Sequence, residues 1–154
     1  KMIANVTISN GLAWSPDNST MYYIDTPTAK VVAYDYDLQS GDISNKRVVV
    51  NIPEGEGNPD GMNIDEEGML WIAHWEGFQV SRWNPLTGDK LCKVELPVAR
   101  VTSCCFGGKA LKTLYITTAS TGLKEEELKE QPDAGGLFKV ETDVKGSATY
   151  QFKG

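Results

Sequence analysis

The chain has 154 residues, of which 40% are hydrophobic and 23% charged, a balance that suits one globular domain with a real core and argues against disorder. A net charge of -6 and a pI near 4.8 leave no basic stripe to neutralise phosphates, which excludes a general nucleic-acid binder. No apolar run approaches the roughly 18 residues of a membrane span, and the first ten residues lack the zones of a signal peptide, so no membrane partner is expected.

Three cysteines, with Cys104 and Cys105 adjacent and Cys92 apart, form neither an even disulfide framework nor a zinc spacing. A reducing, cytoplasmic setting follows.

Taken in order, the chain reads as three copies of one unit. Each copy opens on a short run: Ser9-Asn10-Gly11-Leu12-Ala13, then Pro59-Asp60-Gly61-Met62-Asn63, then more loosely Val101-Thr102-Ser103-Cys104-Cys105. These openings recur every 40 to 50 residues, roughly the span of a four-stranded propeller blade. Each is followed by turn chemistry, at Ser15-Pro16-Asp17-Asn18, Asp65-Glu66-Glu67-Gly68 and Gly107-Gly108-Lys109. A second strand comes next in every copy: Met21 to Asp25, Leu70 to His74 and Leu114 to Thr118, all rich in aromatic and β-branched residues.

A third strand ends in a shared turn, Tyr36-Asp37-Leu38-Gln39-Ser40-Gly41 in the first copy and Trp83-Asn84-Pro85-Leu86-Thr87-Gly88 in the second. Outer strands are predicted at Arg47 to Ile52, Leu91 to Leu96 and Ala148 to Phe152. Cys92-Lys93-Val94-Glu95-Leu96 alternates as a strand with one wet face does. Only Ser120 to Ala134 breaks the pattern, as a surface excursion between the second and third strands of the last copy, with a short helix over Leu123 to Lys129.

The predicted fold is all-β: about three four-stranded blades, starting near residues 8, 58 and 100, across 1–154. Three blades do not close a ring, because propellers need four to eight. The chain is therefore expected to be an incomplete ring, either a fragment of a longer protein or a half that pairs with a second copy.

Asn10 and Asp60 occupy equivalent positions at the feet of two innermost strands, and equivalent feet converge on the axis of such a ring. An amide oxygen and a carboxylate are hard oxygen ligands of the kind Ca²⁺ takes, so Asn10 and Asp60 are the candidate metal ligands. The alternative is that both merely cap turns, since Asn-Gly and Asp-Gly are turn dipeptides in any β protein.

His74, the single histidine, is expected to make a structural hydrogen bond. Cys104 and Cys105 are expected as buried thiols. Trp14, Trp71, Trp75 and Trp83 are expected in the packing between blades, and Glu125-Glu126-Glu127 as a solvated acidic face.

Six blocks taken together, Ile8 to Ser15, Tyr22 to Asp25, Tyr34 to Asp37, Pro59 to Met62, Thr102 to Gly108 and Gln131 to Gly136, resemble the regucalcin family, also called senescence marker protein 30 or gluconolactonase. The match spans nearly the whole chain and looks like the C-terminal half of such a protein. The resemblance implies a six-bladed propeller, one divalent metal in the central channel (Ca or Zn, with Mg or Mn possible) and hydrolysis of a sugar lactone. Asn10 and Asp60 match two of the family's metal ligands; a glutamate from the first blade would lie upstream of Lys1.

Opening a lactone also requires a proton to be managed, and Asp60 beside the cation is the candidate catalytic base as well as a ligand; no other cofactor is implied. The partners are a small lactone and the missing N-terminal half or a second copy. A non-catalytic calcium-binding regulator or a protein-docking propeller is the rival reading.

Overall fold

The computed structural model describes residues 1–148. Its strands are β1 (Ser9–Trp14), β2 (Thr20–Asp25), β3 (Lys30–Tyr36), β4 (Ile43–Asn51), β5 (Asn58–Ile64), β6 (Leu70–Trp75), β7 (Gln79–Trp83), β8 (Lys90–Glu95), β9 (Val101–Gly107), β10 (Thr113–Thr118) and β11 (Leu137–Glu141), with one helix, α1 (Glu125–Glu130). They form three antiparallel meanders in the orders β1-β2-β3-β4, β5-β6-β7-β8 and β9-β10-β11. The outer strand expected over Ala148 to Phe152 lies outside the described residues except for Ala148.

Alternation along the second strands explains why the sheets stack. Tyr22 and Ile24 of β2 join Val31, Ala33 and Val50 in one apolar layer against Met62, Ile64, Leu70 and Ile72 of the middle sheet. The opposite face of β6 sends Trp71 and Ala73 into a second layer with Val101, Cys104, Phe106, Leu114 and Ile116 of the third sheet. Trp71 meets Phe106 edge-on, with centroids 5.5 Å apart and planes at 89°. The middle sheet is thus apolar on both faces, as a blade between two neighbours must be.

The outward face of the first sheet holds Met21, Tyr23 and Tyr34, with Ile3, Val6 and Trp14 packed on them. The excursion after β10 carries α1, a single exposed helical stretch with Glu125, Glu126 and Glu127 in its first turn. Acidic side chains there face the positive end of the helix dipole.

β4 is longer than the sequence pattern suggests, starting at Ile43 instead of Arg47. Its first half is bulged, with Asn45 at φ 51°, and Asn45 and Arg47 both reach Asp35 at 2.7 Å. A bulge held by polar side chains erases the period-two signature.

Candidate metal centre

All three innermost strands share one irregularity. Ser9 pairs with Asp25 but Leu12 with Tyr23; Pro59 pairs with His74 but Met62 with Ile72; Val101 pairs with Thr118 but Ser103 with Thr117. In each case the inner strand carries one residue more than its partner, a β-bulge. The bulges fall on Asn10-Gly11, Asp60-Gly61 and Thr102, the aligned openings of the three copies. A bulge turns a side chain away from the pleat, which is how Asn10 and Asp60 leave the sheet faces.

The glycines beside them let the inner strands close up. A Cβ on Gly11 would lie 2.6 Å from Met62 Cβ and 2.8 Å from the Asp60 carbonyl oxygen. A Cβ on Gly61 would lie 2.6 Å from Ser103 Cβ and 2.7 Å from the Thr102 carbonyl oxygen. Neither distance leaves room for a side chain, so backbone meets backbone around the axis.

This closeness brings Asn10 and Asp60 together. Both are partly buried, and the Asn10 side chain lies close enough to the Asp60 carboxylate to favour its ionised form. Burial raises the Asp60 pKa above the usual 3.8, partly offset by Asn10 and the Gly61 N–H. The Asn10 amide also donates to Thr26 Oγ1 at 3.1 Å, and that hydroxyl donates to the Pro59 carbonyl at 2.8 Å.

A half-desolvated carboxylate beside an amide fits a hard cation, which would relieve the cost of the buried charge. Among the described residues no three His, Cys, Asp or Glu side chains converge. Among the described residues, Asn10 and Asp60 are the two candidate ligands at that point, fewer than the six to eight that Ca²⁺ takes.

His74 is buried and away from this cluster in chemistry, though adjacent in register. Its Nδ1 lies 2.9 Å from the Glu56 carbonyl and its Nε2 2.5 Å from Ser81 Oγ. Trp83 Nε1 donates to the same hydroxyl at 2.5 Å, so the Ser81 proton goes to Nε2 and the Nδ1–H donates to Glu56. Burial lowers the His74 pKa to about 4, which keeps the ring neutral.

The register makes Asp25 the counterpart of His74. Asp25 accepts the backbone N–H of Ile8 at 2.9 Å and that of Thr7 at 3.3 Å. One side chain accepts from its incoming loop and the other donates to its own, yet each pins the segment leading into Asn10 or Asp60. The sequence shows two unlike residues; their common task depends on strand pairing.

Other expected positions divide. Trp71 and Trp83 are buried, whereas Trp14 and Trp75 are only partly so, and Trp75 lies under the Arg100 guanidinium at 5.0 Å. Cys104 is buried, its pKa pushed up to about 12 by that burial, but Cys105 is exposed, a correction to the expectation of two buried thiols. Period-two alternation sends the two side chains to opposite faces, and only the face toward the middle sheet is covered.

A buried acid went unnoticed in the sequence. Asp65, in a hairpin read only as turn chemistry, is fully buried and binds Trp71 Nε1 at 2.9 Å and Arg82 Nε at 2.8 Å. It closes the far end of β5.

The sequence matches the family model for the SMP-30/gluconolactonase/LRE-like region over residues 1–120. The chain belongs to this family. It is 50% identical to human regucalcin over 155 aligned positions, covering 100% of this chain and 52% of the relative, and 50% identical to the zebrafish (Danio rerio) regucalcin over 97% of the chain and 51% of the relative. The chain therefore spans about half the length of these curated relatives.

Among solved structures it is similar to a calcium-binding protein, regucalcin, from Agrobacterium tumefaciens, with TM-score 0.90, 28% identity, and coverage of 96% of this chain and 50% of that one. A luciferin-regenerating enzyme aligns with TM-score 0.85 and 39% identity over 94% of this chain and 48% of that one. A gluconolactonase from Xanthomonas campestris aligns with TM-score 0.63 and 29% identity over 75% and 36%. The family and these likenesses identify the three stacked sheets as propeller blades.

Proposed function

We propose that this chain is the C-terminal half of a propeller that hydrolyses sugar lactones with one divalent cation, Asn10 and Asp60 supplying two of its ligands. The observation that carries the reading is that twin bulges on β1 and β5 set the two side chains beside one another, where Asn10 favours the ionised Asp60. Membership in a gluconolactonase-like family supports the reaction class. Oxygen donors favour Ca²⁺, with Zn²⁺, Mg²⁺ and Mn²⁺ as competitors.

A lactone is a cyclic ester, so its opening needs a polarised carbonyl, a water nucleophile and a place for the water's proton. When bound, the cation supplies Lewis-acid polarisation of the carbonyl. Asp60 would help hold the cation, and its carboxylate is the group on this chain that would accept the proton of the attacking water. Asn10 would help hold the cation through its amide oxygen, and the partial burial of both side chains limits competing solvent.

The remaining ligands come from the other half of the ring, supplied by the preceding half of a longer chain or by a second copy. The free thiols of Cys92, Cys104 and Cys105 support a cytoplasmic location. No helix among the described residues is long and apolar enough to cross a membrane.

A second reading uses the same two residues: a non-catalytic calcium regulator, favoured by the calcium-binding description of the Agrobacterium relative. Calorimetric titration with Ca²⁺ and Zn²⁺, alongside gluconolactone hydrolysis by this chain with and without the preceding half, tests both. The enzyme reading expects weak binding and little turnover from the chain alone, and turnover in the complemented ring that Asp60→Ala lowers by about 100-fold or more. Cation binding without turnover in the complemented ring favours the regulator. Full activity from the chain alone places the site elsewhere.

A further inference from the structure

One hydroxyl touches both strand feet of the candidate site. Thr26 opens the 3-10 turn Thr26–Thr28 directly after β2, where Pro27 fixes the backbone and Asp25 holds the segment preceding Asn10. Its Oγ1 lies 3.1 Å from Asn10 Nδ2 and 2.8 Å from the carbonyl oxygen of Pro59, the residue before Asp60.

Proton bookkeeping decides which way Asn10 points. A carbonyl only accepts, so the single Thr26 proton is committed to Pro59. Whatever Asn10 turns toward Thr26 must therefore be a donor, which is its NH₂ group. The opposite orientation would set two acceptors face to face without a proton. The amide oxygen is thereby turned away from Thr26 and left for a cation, and the same hydroxyl fixes the spacing of β1 from the start of β5.

We infer that Thr26 is the positioning residue of the centre: it holds the Asn10 amide in its ligating orientation and ties that ligand to the backbone that presents Asp60. The inference rests on the cation-site reading of Asn10 and Asp60. It assigns to Thr26 no contact with substrate or cation. Partners that orient a metal ligand from behind commonly affect affinity by about 10- to 100-fold when removed.

Thr26→Val keeps the shape and removes the hydroxyl, while Thr26→Ser keeps the hydroxyl and drops a methyl group. Calcium titration of this chain is expected to show affinity about 10-fold or more weaker for Thr26→Val and close to wild type for Thr26→Ser. A readout free of metal accompanies it: in the cation-free chain the Asn10 side-chain NH₂ should give two dispersed, protected NMR signals in wild type and Thr26→Ser, which move to solvent-exposed positions in Thr26→Val.

If Thr26→Val unfolds by circular dichroism, Thr26→Ala takes its place in both measurements. Equal calcium affinity in wild type and Thr26→Val, or an unmoved Asn10 signal, overturns the role of Thr26. Absence of calcium binding by the wild type, alone and in the complemented ring, overturns the cation-site reading, and the Asn10 signal then still decides whether Thr26 orients the amide.

Discussion

Asp60 sits in the β5 bulge next to Pro59, the residue that pairs with His74, and burial acts on the two side chains in opposite senses. A carboxyl whose pKa is raised in the fold binds a proton more readily there than in the unfolded chain, so its ionised form lowers stability as pH rises above 3.8. Asp60→Asn is accordingly expected to raise the thermal midpoint of the cation-free chain at pH 7 while abolishing calcium binding, read by calorimetry on the same samples. In the wild type, protons compete with the cation, so affinity falls as pH drops toward the raised Asp60 pKa. For His74 the folded value of about 4 lies below the ordinary 6.5, so protons favour the unfolded chain between those limits. Stability is unaffected by His74 above pH 6.5 and declines by about 3 kcal/mol as pH falls from 6.5 to 4. Urea denaturation of wild type and His74→Gln across that window checks it: the variant should be less stable at pH 7 and lack the one-proton slope. The equivalence of Asn10 and Asp60 was legible from the sequence because bulge and glycine demand the same short run in the first two copies. Thr26, Asp25 and the task of His74 were not, because their partners sit 16 to 33 residues away or on another strand, where no local pattern reports them.

At the scale of elements, the inner strands depend on bare backbone at Gly11 and Gly61, whereas Gly41 serves only its turn. Gly61→Ala would push a methyl group to 2.6 Å from Ser103 Cβ and 2.7 Å from a carbonyl oxygen, atoms that strand pairing holds in place. Gly41, at φ 77°, has nothing within 4 Å of an added Cβ, so its substitution to alanine meets only the left-handed backbone penalty. Urea denaturation should therefore give a loss of about 3 kcal/mol or more for Gly61→Ala and about 1 kcal/mol for Gly41→Ala. Most strands were readable because alternating apolar residues on a half-buried sheet leave a period of two. The exceptions have physical causes: the bulge at Asn45 hides the start of β4, and Asp65 looks like an ordinary turn residue until β6 and β7 bring Trp71 and Arg82 to it.

For the whole molecule, one repeated position records what each blade packs against. Met62 is 7% exposed and Cys104 4%, each covered by the blade before it, but their counterpart Leu12 on β1 is 46% exposed. Leu12 thus stands where a preceding blade would cover it, an exposed apolar side chain on the inner strand. Under the proposed reading, that position is where the other half of the ring, or a second copy, would pack. Burying a leucine side chain contributes about 2 kcal/mol, enough to weaken assembly by more than tenfold when lost. Leu12→Lys leaves the interior untouched, because among the described residues no blade packs on that side, so its circular dichroism and thermal midpoint should match wild type. Sedimentation velocity of the wild type with the preceding half is expected to give a one-to-one complex that Leu12→Lys disrupts, and lactone turnover should follow the complex. A complex that forms as well with lysine at this position would place the junction of the two halves on some other face.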